Sequence, residues 1–274
     1  MQWSVVSVVG VGLIGGSFAL ALRKAGFAGK IIGVSSSETV LSALELGAID
    51  EALTLEEAAA QSDLIYLAQP IERILKTLEV VDSHVRAGTL ITDAGSTKVA
   101  IMRRAAEKIR RGRFIGGHPM AGKEARGVAA ADGELFCGRP YVLTSPDTEL
   151  QDWIERIGAR VVILSAEEHD RLVALTSHLP QLISTALAAS IADVPRAVEV
   201  AGPAALDLTR LALSPYQIWR DIFATNSAPI DAVLGVFIGK LEELRTMLRR
   251  PEIEGEFDRA AEAAKLLRKG SEAL

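Results

Sequence analysis

Gly116-Gly117-His118-Pro119-Met120-Ala121-Gly122 sets a histidine among small residues directly after the apolar segment Phe114–Ile115. An imidazole titrates near neutrality, so at the end of a strand it can take the proton of a hydroxyl while hydride leaves the carbon bearing it. On spacing alone, a structural histidine in a glycine-rich turn accounts for the run equally well. Asp93-Ala94-Gly95-Ser96-Thr97-Lys98 closes another apolar segment. There Ser96 suits three tasks: capping the next helix, contacting a cofactor, or contacting a substrate. Ser177-His178-Leu179-Pro180 interrupts a helical pattern, while Asp207–Arg210 and Trp219-Arg220-Asp221 supply guanidinium groups. Arg210 is suited to gripping a carboxylate at two points. Taken singly, a packed histidine and ordinary ion pairs explain these residues better.

Hydride needs an acceptor, and the N-terminal residues offer a place for one. Gly10-Val11-Gly12-Leu13-Ile14-Gly15 follows the apolar run Val5–Val9 and opens a helical pattern ending near Ala25. In that context Gly10 makes a tight turn, Gly12 lets a pyrophosphate approach the backbone, and Gly15 lets helix and strand pack closely. The amides of Leu13 and Ile14 then face the phosphates at the helix N-terminus. At the end of the second strand pattern, where an acidic residue usually reads a free ribose 2′-hydroxyl, stand Ser35, Ser36 and Ser37. With no carboxylate to repel a 2′-phosphate the lean is towards NADP. Glu38 and the lack of an arginine beside the serines point to NAD, the alternative. The same serines suit the N-cap of the helix Glu38–Leu46.

These positions require a scaffold of alternating strands and helices. Short apolar runs at Val5–Val9, Lys30–Val34, Asp63–Ala68, Thr89–Thr92, Arg113–Ile115, Tyr141–Thr144 and Arg160–Leu164 alternate with helical patterns such as Ile14–Ala25, Glu38–Leu46, Ile71–Val80 and Lys98–Arg110. The expected fold is α/β, a Rossmann-type doubly wound parallel sheet over residues 1–166. Beyond it Glu167–Ala192, Pro195–Ala212, Ile218–Asn226, Pro229–Arg249 and Glu254–Lys269 read at helical period, so residues 167–274 are expected to form an all-helical domain.

The 274 residues are 49% apolar and carry a net charge of −5, enough for two cores and without the basic excess that a nucleic-acid surface needs. A single cysteine, Cys137, excludes an internal disulfide and a multi-cysteine metal site, so no metal is expected and a reducing cytoplasm fits. The N-terminus lacks a secretory pattern, and the most apolar run, Leu182–Ala192, is too short to span a bilayer, so a soluble protein without membrane contact is expected.

In combination, Gly12–Ser17, Asp93–Lys98, His118–Gly122, Ser177–Pro180, Thr209-Arg210 and Trp219–Phe223 resemble the prephenate/arogenate dehydrogenase family of tyrosine biosynthesis, from Val5 to about Asn226. The resemblance implies oxidative decarboxylation. Hydride passes from the C4 carbinol of a cyclohexadienol to the nicotinamide, CO2 leaves, and the ring becomes aromatic. On the matching positions it implies that His118 handles the C4 hydroxyl proton and that Ser96 hydrogen-bonds nearby. It further implies that Arg210 binds a substrate carboxylate, His178 shapes and polarises the pocket, Trp219 lies near its wall, and Glu124 acts as a gate. A homodimer formed by the helical half is also implied.

Three positions depart from the family pattern: Lys123 where relatives often have Ser or Thr, Gln181 where many have His, and the missing ribose-reading carboxylate. No appended regulatory domain is expected, so feedback by tyrosine would act at the active site. His84 and His169 read as solvent-facing and Cys137 as a small buried residue. Two other readings stay open: a two-domain reductase such as a β-hydroxyacid dehydrogenase or imine reductase, and a non-catalytic dinucleotide sensor.

Overall fold

The structure, a computed structural model, describes residues 3–272. Its first elements are β1 (Val5–Val9), α1 (Leu13–Lys24), β2 (Lys30–Val34), α2 (Ser37–Glu45), β3 (Glu51–Ala52), α3 (Leu55–Gln61), β4 (Leu64–Leu67), α4 (Ile71–Val80), β5 (Leu90–Asp93), α5 (Val99–Lys108) and β6 (Arg113–Ile115). The strands form one parallel sheet in the order β3-β2-β1-β4-β5-β6, with Val8 opposite Gly33 on one side and Tyr66 on the other. In such a sheet the order reverses at the first strand, and the crevice at the carboxyl ends of the strands there is where a dinucleotide binds. β3 and α3 go beyond the sequence pattern, because two residues carry no period. A capping box sets the start of α3: Thr54 Oγ1 accepts from Glu57 N at 3.3 Å while the Glu57 carboxylate accepts from Thr54 N at 3.1 Å.

The sequence pattern predicts that the remaining strands extend this sheet, but they do not. β7 (Gly117–Pro119), β8 (Pro140–Leu143) and β9 (Arg160–Ile163), with α6 (Thr148–Arg156) between the last two, form a separate three-stranded sheet in the order β7-β8-β9. Only Gly116 separates β6 from β7, far too little chain for the crossover that a parallel neighbour needs. β7 therefore turns away and pairs antiparallel with β8, placing His118 opposite Val142.

The later chain is helical: α7 (Ala166–Val173), a π turn at Ala174–His178, α8 (Leu179–Ala192), α9 (Pro203–Thr209), α10 (Tyr216–Met247) and α11 (Ile253–Glu272). The expected helix Pro195–Ala212 is instead three short pieces, because Gly202-Pro203 starts a new helix and 3₁₀ turns flank it at Ala197–Val200 and Arg210–Leu213. α10 is broken at Asn226, whose φ of −133° is not helical. Pro229 explains the break, since a proline ring clashes with the carbonyl four residues earlier, that of Thr225. α7, the π turn and α8 run on as one apolar stretch, Ala166–Ala192, so the estimate from Leu182–Ala192 alone is too short. This stretch and Tyr216–Met247 are each long and apolar enough to cross a membrane by length and composition.

The chain divides into two compact units. The first runs to Asp170 and takes in Ser214–Thr225; the second comprises Arg171–Leu213 and the residues from Asn226 onward. These units differ from a division after residue 166 chiefly in that Ser214–Thr225 is held to the first unit. There the Asp221 carboxylate accepts from Glu72 N at 3.1 Å, and the hydroxyls of Thr97 and Thr225 lie 2.7 Å apart. The core of the first unit gathers Val6, Val8, Phe18, Leu22, Ile31, Leu64, Tyr66, Leu90 and Trp153. Each such side chain, fully buried, contributes about 1.5–3 kcal/mol. In the second unit Ser184 Oγ accepts from Ala212 N at 2.9 Å, tying the turn that contains Arg210 to α8.

Candidate active site

The glycine turn between β1 and α1 has the shape its sequence demands. Gly10 has φ of +93°, and a β-carbon there would lie 2.7 Å from the Ala68 carbonyl oxygen, so no other residue fits without strain. A β-carbon on Gly15 would lie 2.2 Å from the Gly10 carbonyl oxygen, the mark of a helix pressed onto its strand. Gly12 differs: nothing lies within 4 Å of where its β-carbon would be. It is also the N-cap of α1 and offers no side chain to the first turn, so the amides of Leu13 and Ile14 lack the usual capping oxygen. An open cradle beneath uncapped amides fits the pyrophosphate of a dinucleotide.

At the end of β2, Ser35 and Ser36 are exposed. Ser36 occupies the N-cap of α2 as the sequence suggests, but its hydroxyl makes no capping bond and lies 2.9 Å from Thr39 Oγ1. No carboxylate stands at positions 35–37.

Ser96 lies in the segment joining β5 to α5, at the same edge of the sheet. It does not cap α5. That task falls to Asp170, whose carboxylate accepts from Lys98 N at 2.6 Å and Val99 N at 2.9 Å. Below this segment Lys98 and Asp93 form an ion pair with both side chains fully buried. Lys98 Nζ also donates to Gly117 O at 2.6 Å, and Gly117 N donates to Asp93 Oδ1 at 3.0 Å. The pair thus grips both backbone groups of the residue before His118. Burial pushes the Lys98 ammonium below its ordinary range, and the Asp93 carboxylate opposes that shift. Burial likewise raises the Tyr66 and Tyr141 hydroxyls, which lie 3.2 Å apart.

His118 is half-buried on β7, and its Nδ1 lies 2.8 Å from His169 Nε2. His169 is not solvent-facing: it is 0% exposed, and its Nδ1 lies 2.8 Å from Asp170 Oδ1. The reason is the face of α7. Ala166, His169, Asp170, Val173 and Ala174 are all buried at helical spacing, so two titratable residues share an apolar stripe.

The other expected residues divide between the units. In the first, exposed Glu124 lies in the loop after β7, and Trp219 donates from Nε1 to Ser214 Oγ at 2.9 Å beside Phe223. In the second, His178 is buried at the end of the π turn, its Nδ1 3.2 Å from Asn226 Nδ2, and Arg210 is exposed. π turns recur at functional positions, and Pro180, which cannot donate to the carbonyl four residues back, favours one here. Of the departures, Lys123 pairs with Asp132 at 2.6 Å and Gln181 is buried, donating to Thr185 Oγ1 at 3.2 Å. Cys137, expected inside, is exposed, with Sγ 2.8 Å from Glu134 Oε2. Among the described residues no cluster of three His, Cys, Asp or Glu has the arrangement of a metal site.

Comparison with known proteins agrees with the fold and its two halves. Residues 18–166 match the family profile "Prephenate dehydrogenase, nucleotide-binding domain", and residues 165–262 match "Prephenate dehydrogenase, dimerization domain". Over 228 residues the chain is 36% identical to a prephenate dehydrogenase of Lactococcus lactis, an alignment covering 81% of this chain and 64% of that one. It therefore spans a little under two thirds of that relative's length. Two solved structures are similar along nearly their whole length. Prephenate dehydrogenase from A. aeolicus in complex with hydroxyphenyl propionate and NAD+ has a TM-score of 0.83 at 30% identity, covering 98% of each chain. Synechocystis arogenate dehydrogenase has 0.84 at 30%, covering 96% of this chain and 99% of that one. Nucleotide-binding sheet and helical half follow one another in the family's order, and the chain belongs to the prephenate dehydrogenase family of nicotinamide-dependent oxidoreductases.

Proposed function

We propose that the chain catalyses the oxidative decarboxylation of prephenate or arogenate with NADP or NAD, with His118 as the group that takes the C4 hydroxyl proton. The observation that carries this is the placement of His118: a half-buried imidazole just past a parallel sheet, on a strand whose preceding peptide is clamped by Asp93 and Lys98. The nicotinamide, when bound, supplies the hydride acceptor. His118 removes the hydroxyl proton as hydride leaves C4, and the resulting ketone lets the ring carboxylate depart as CO2, leaving a phenolate. The proton held on His118 then returns to the phenolate oxygen, so the histidine ends as it began.

Ser96, on the loop after β5, supplies a second hydrogen bond to the reacting hydroxyl and to the cofactor. Family likeness gives Arg210 to a substrate carboxylate, His178 and Trp219 to the pocket, and Glu124 to gating. Ser35 and Ser36, exposed and with no carboxylate at positions 35–37, favour NADP, while Glu38 supports NAD as the alternative. The matched dimerization profile and the apolar residues exposed on α10 and α11 support a homodimer. A cytoplasmic setting suits a chain with one cysteine and no disulfide.

The test is kcat/KM for prephenate and arogenate, each with NAD and NADP. Turnover of neither, with reduction driven instead by a 3-hydroxy acid, would overturn the assignment. His118→Asn is expected to lower kcat by about 10²–10⁴-fold and leave cofactor affinity nearly unchanged.

A further inference from the structure

His169 and Asp170 are among the most buried titratable groups of the first unit, at 0% and 1% exposure. Among its bonds, Asp170 accepts from Lys98 N and His169 Nδ1 on Oδ1 and from Val99 N on Oδ2. The two amides belong to the first turn of α5 and fix the carboxylate in position and orientation. A carboxylate in this setting only accepts, so the hydrogen of the third bond sits on His169 Nδ1.

The next bond follows from the first. A neutral imidazole carries one hydrogen, so with Nδ1 protonated the His169 Nε2 is a lone pair. That lone pair lies 2.8 Å from His118 Nδ1, which must then donate. The His118 hydrogen is thereby on Nδ1 and its lone pair on Nε2. The ring planes are inclined at 71°, so the contact is an edge-on hydrogen bond and not a stack.

We propose that His169, anchored by Asp170, is a positioning residue that fixes the Nδ1–H tautomer of His118 and so makes Nε2 its proton acceptor. This rests on the reading of His118 as the proton-accepting group, and it adds a cause for that capacity. When His118 takes a proton, its Nδ1–H remains bonded to an acceptor backed by a carboxylate, so the positive charge forms where a negative one already stands. Oriented in this way, the dyad acts through His118 and needs no contact with substrate.

The first test needs no variant and no substrate. With 15N-labelled histidine at a pH where the rings are neutral, and His118→Asn used to assign the signal, His118 should show a protonated Nδ1 and a bare Nε2. A bare Nδ1 in the unaltered protein overturns the proposal whatever the enzyme turns over.

The second test uses His169→Phe, which keeps a ring and removes the acceptor, and His169→Gln, whose amide oxygen reaches the position of Nε2. His169→Phe should lower kcat about 100-fold with KM changed less than threefold, and should lose the His118 Nδ1–H signal. His169→Gln should retain kcat within about tenfold of the parent and keep that signal. Equal losses in both variants, or full turnover in His169→Phe, would overturn the positioning role. If neither prephenate nor arogenate is turned over by the parent, the proposed activity fails while the tautomer measurement still decides this proposal.

Discussion

In the unit that runs to Asp170, the large apolar side chains lie inside: Phe18, Leu22, Ile31, Leu64 and Ile74 are 0% exposed. In the unit that begins at Arg171 many lie outside, among them Val198, Val200, Leu213, Val236, Phe257 and Leu267, each more than 60% exposed. A sheet covered by helices is a closed solution to burial. Long helices such as α10 and α11, with many apolar residues outward, are an open one that invites a covering surface. The comparison separates substitutions that act on folding from those that act on association.

The largest effect is expected inside the first unit. Lys98→Met strands the Asp93 carboxylate in a fully buried position and should cost about 3–5 kcal/mol in chemical denaturation. A cost under 1 kcal/mol would show that the clamp on Gly117 is dispensable. Leu213→Glu with Val236→Glu, both in the second unit, should change unfolding by no more than about 0.5 kcal/mol per site when measured on the separated monomer. If the proposed homodimer forms through this surface, sedimentation should nevertheless show it dissociating. A dimer that survives both substitutions would assign the exposed apolar surface to another purpose.

Asp82→Asn tests a smaller device. Asp82 accepts from the backbone amides of Arg110, Arg111 and Gly112 at 2.9–3.0 Å. Burial pushes its carboxyl up, but those three amides and the Arg111 charge outweigh burial and hold it below the ordinary value of 3.8. A carboxylate with a depressed folded-state pKa stabilises above its unfolded value and loses that contribution as pH falls through the folded one. The variant should therefore be about 1 kcal/mol less stable at pH 7, and the difference should close on acidification below pH 4. The smallest effect on stability belongs to Gly12→Ala, where there is room for the methyl group. Its thermal midpoint should stay within about 1 °C while cofactor affinity falls, whereas Gly15→Ala should impair folding itself.

Much of the first unit was legible because its strands carry their own pattern. β1, β2, β6 and α4 have the bounds that apolar runs and helical period predict. The glycine turn was legible for the same reason, each glycine having a separate steric task. What escaped was set by long-range pairing. β7 is three residues whose partner lies more than twenty positions away in β8, and nothing local marks it as a strand. Asp93 and Lys98 stood in a recognised motif, yet both also bond to the Gly117 backbone, which arrives from a distant point of the chain. His169 was misplaced by its neighbours Glu167 and Glu168, although Ala166 and Val173 at helical spacing already marked its side of α7 as the inner one.

The order β3-β2-β1-β4-β5-β6 has an implication for how such a protein changes over time or in an engineer's hands. Ser35 follows β2 and Ser96 follows β5, with β1 and β4 between them, a separation of roughly 14 Å at ordinary strand spacing. On the proposed roles, choice of electron carrier at Ser35 and the second hydrogen bond to the reacting hydroxyl at Ser96 are thus written on different strands of one sheet. A carboxylate introduced at Ser35 is free to redirect the first without disturbing the second, so one attribute can drift while the other is held.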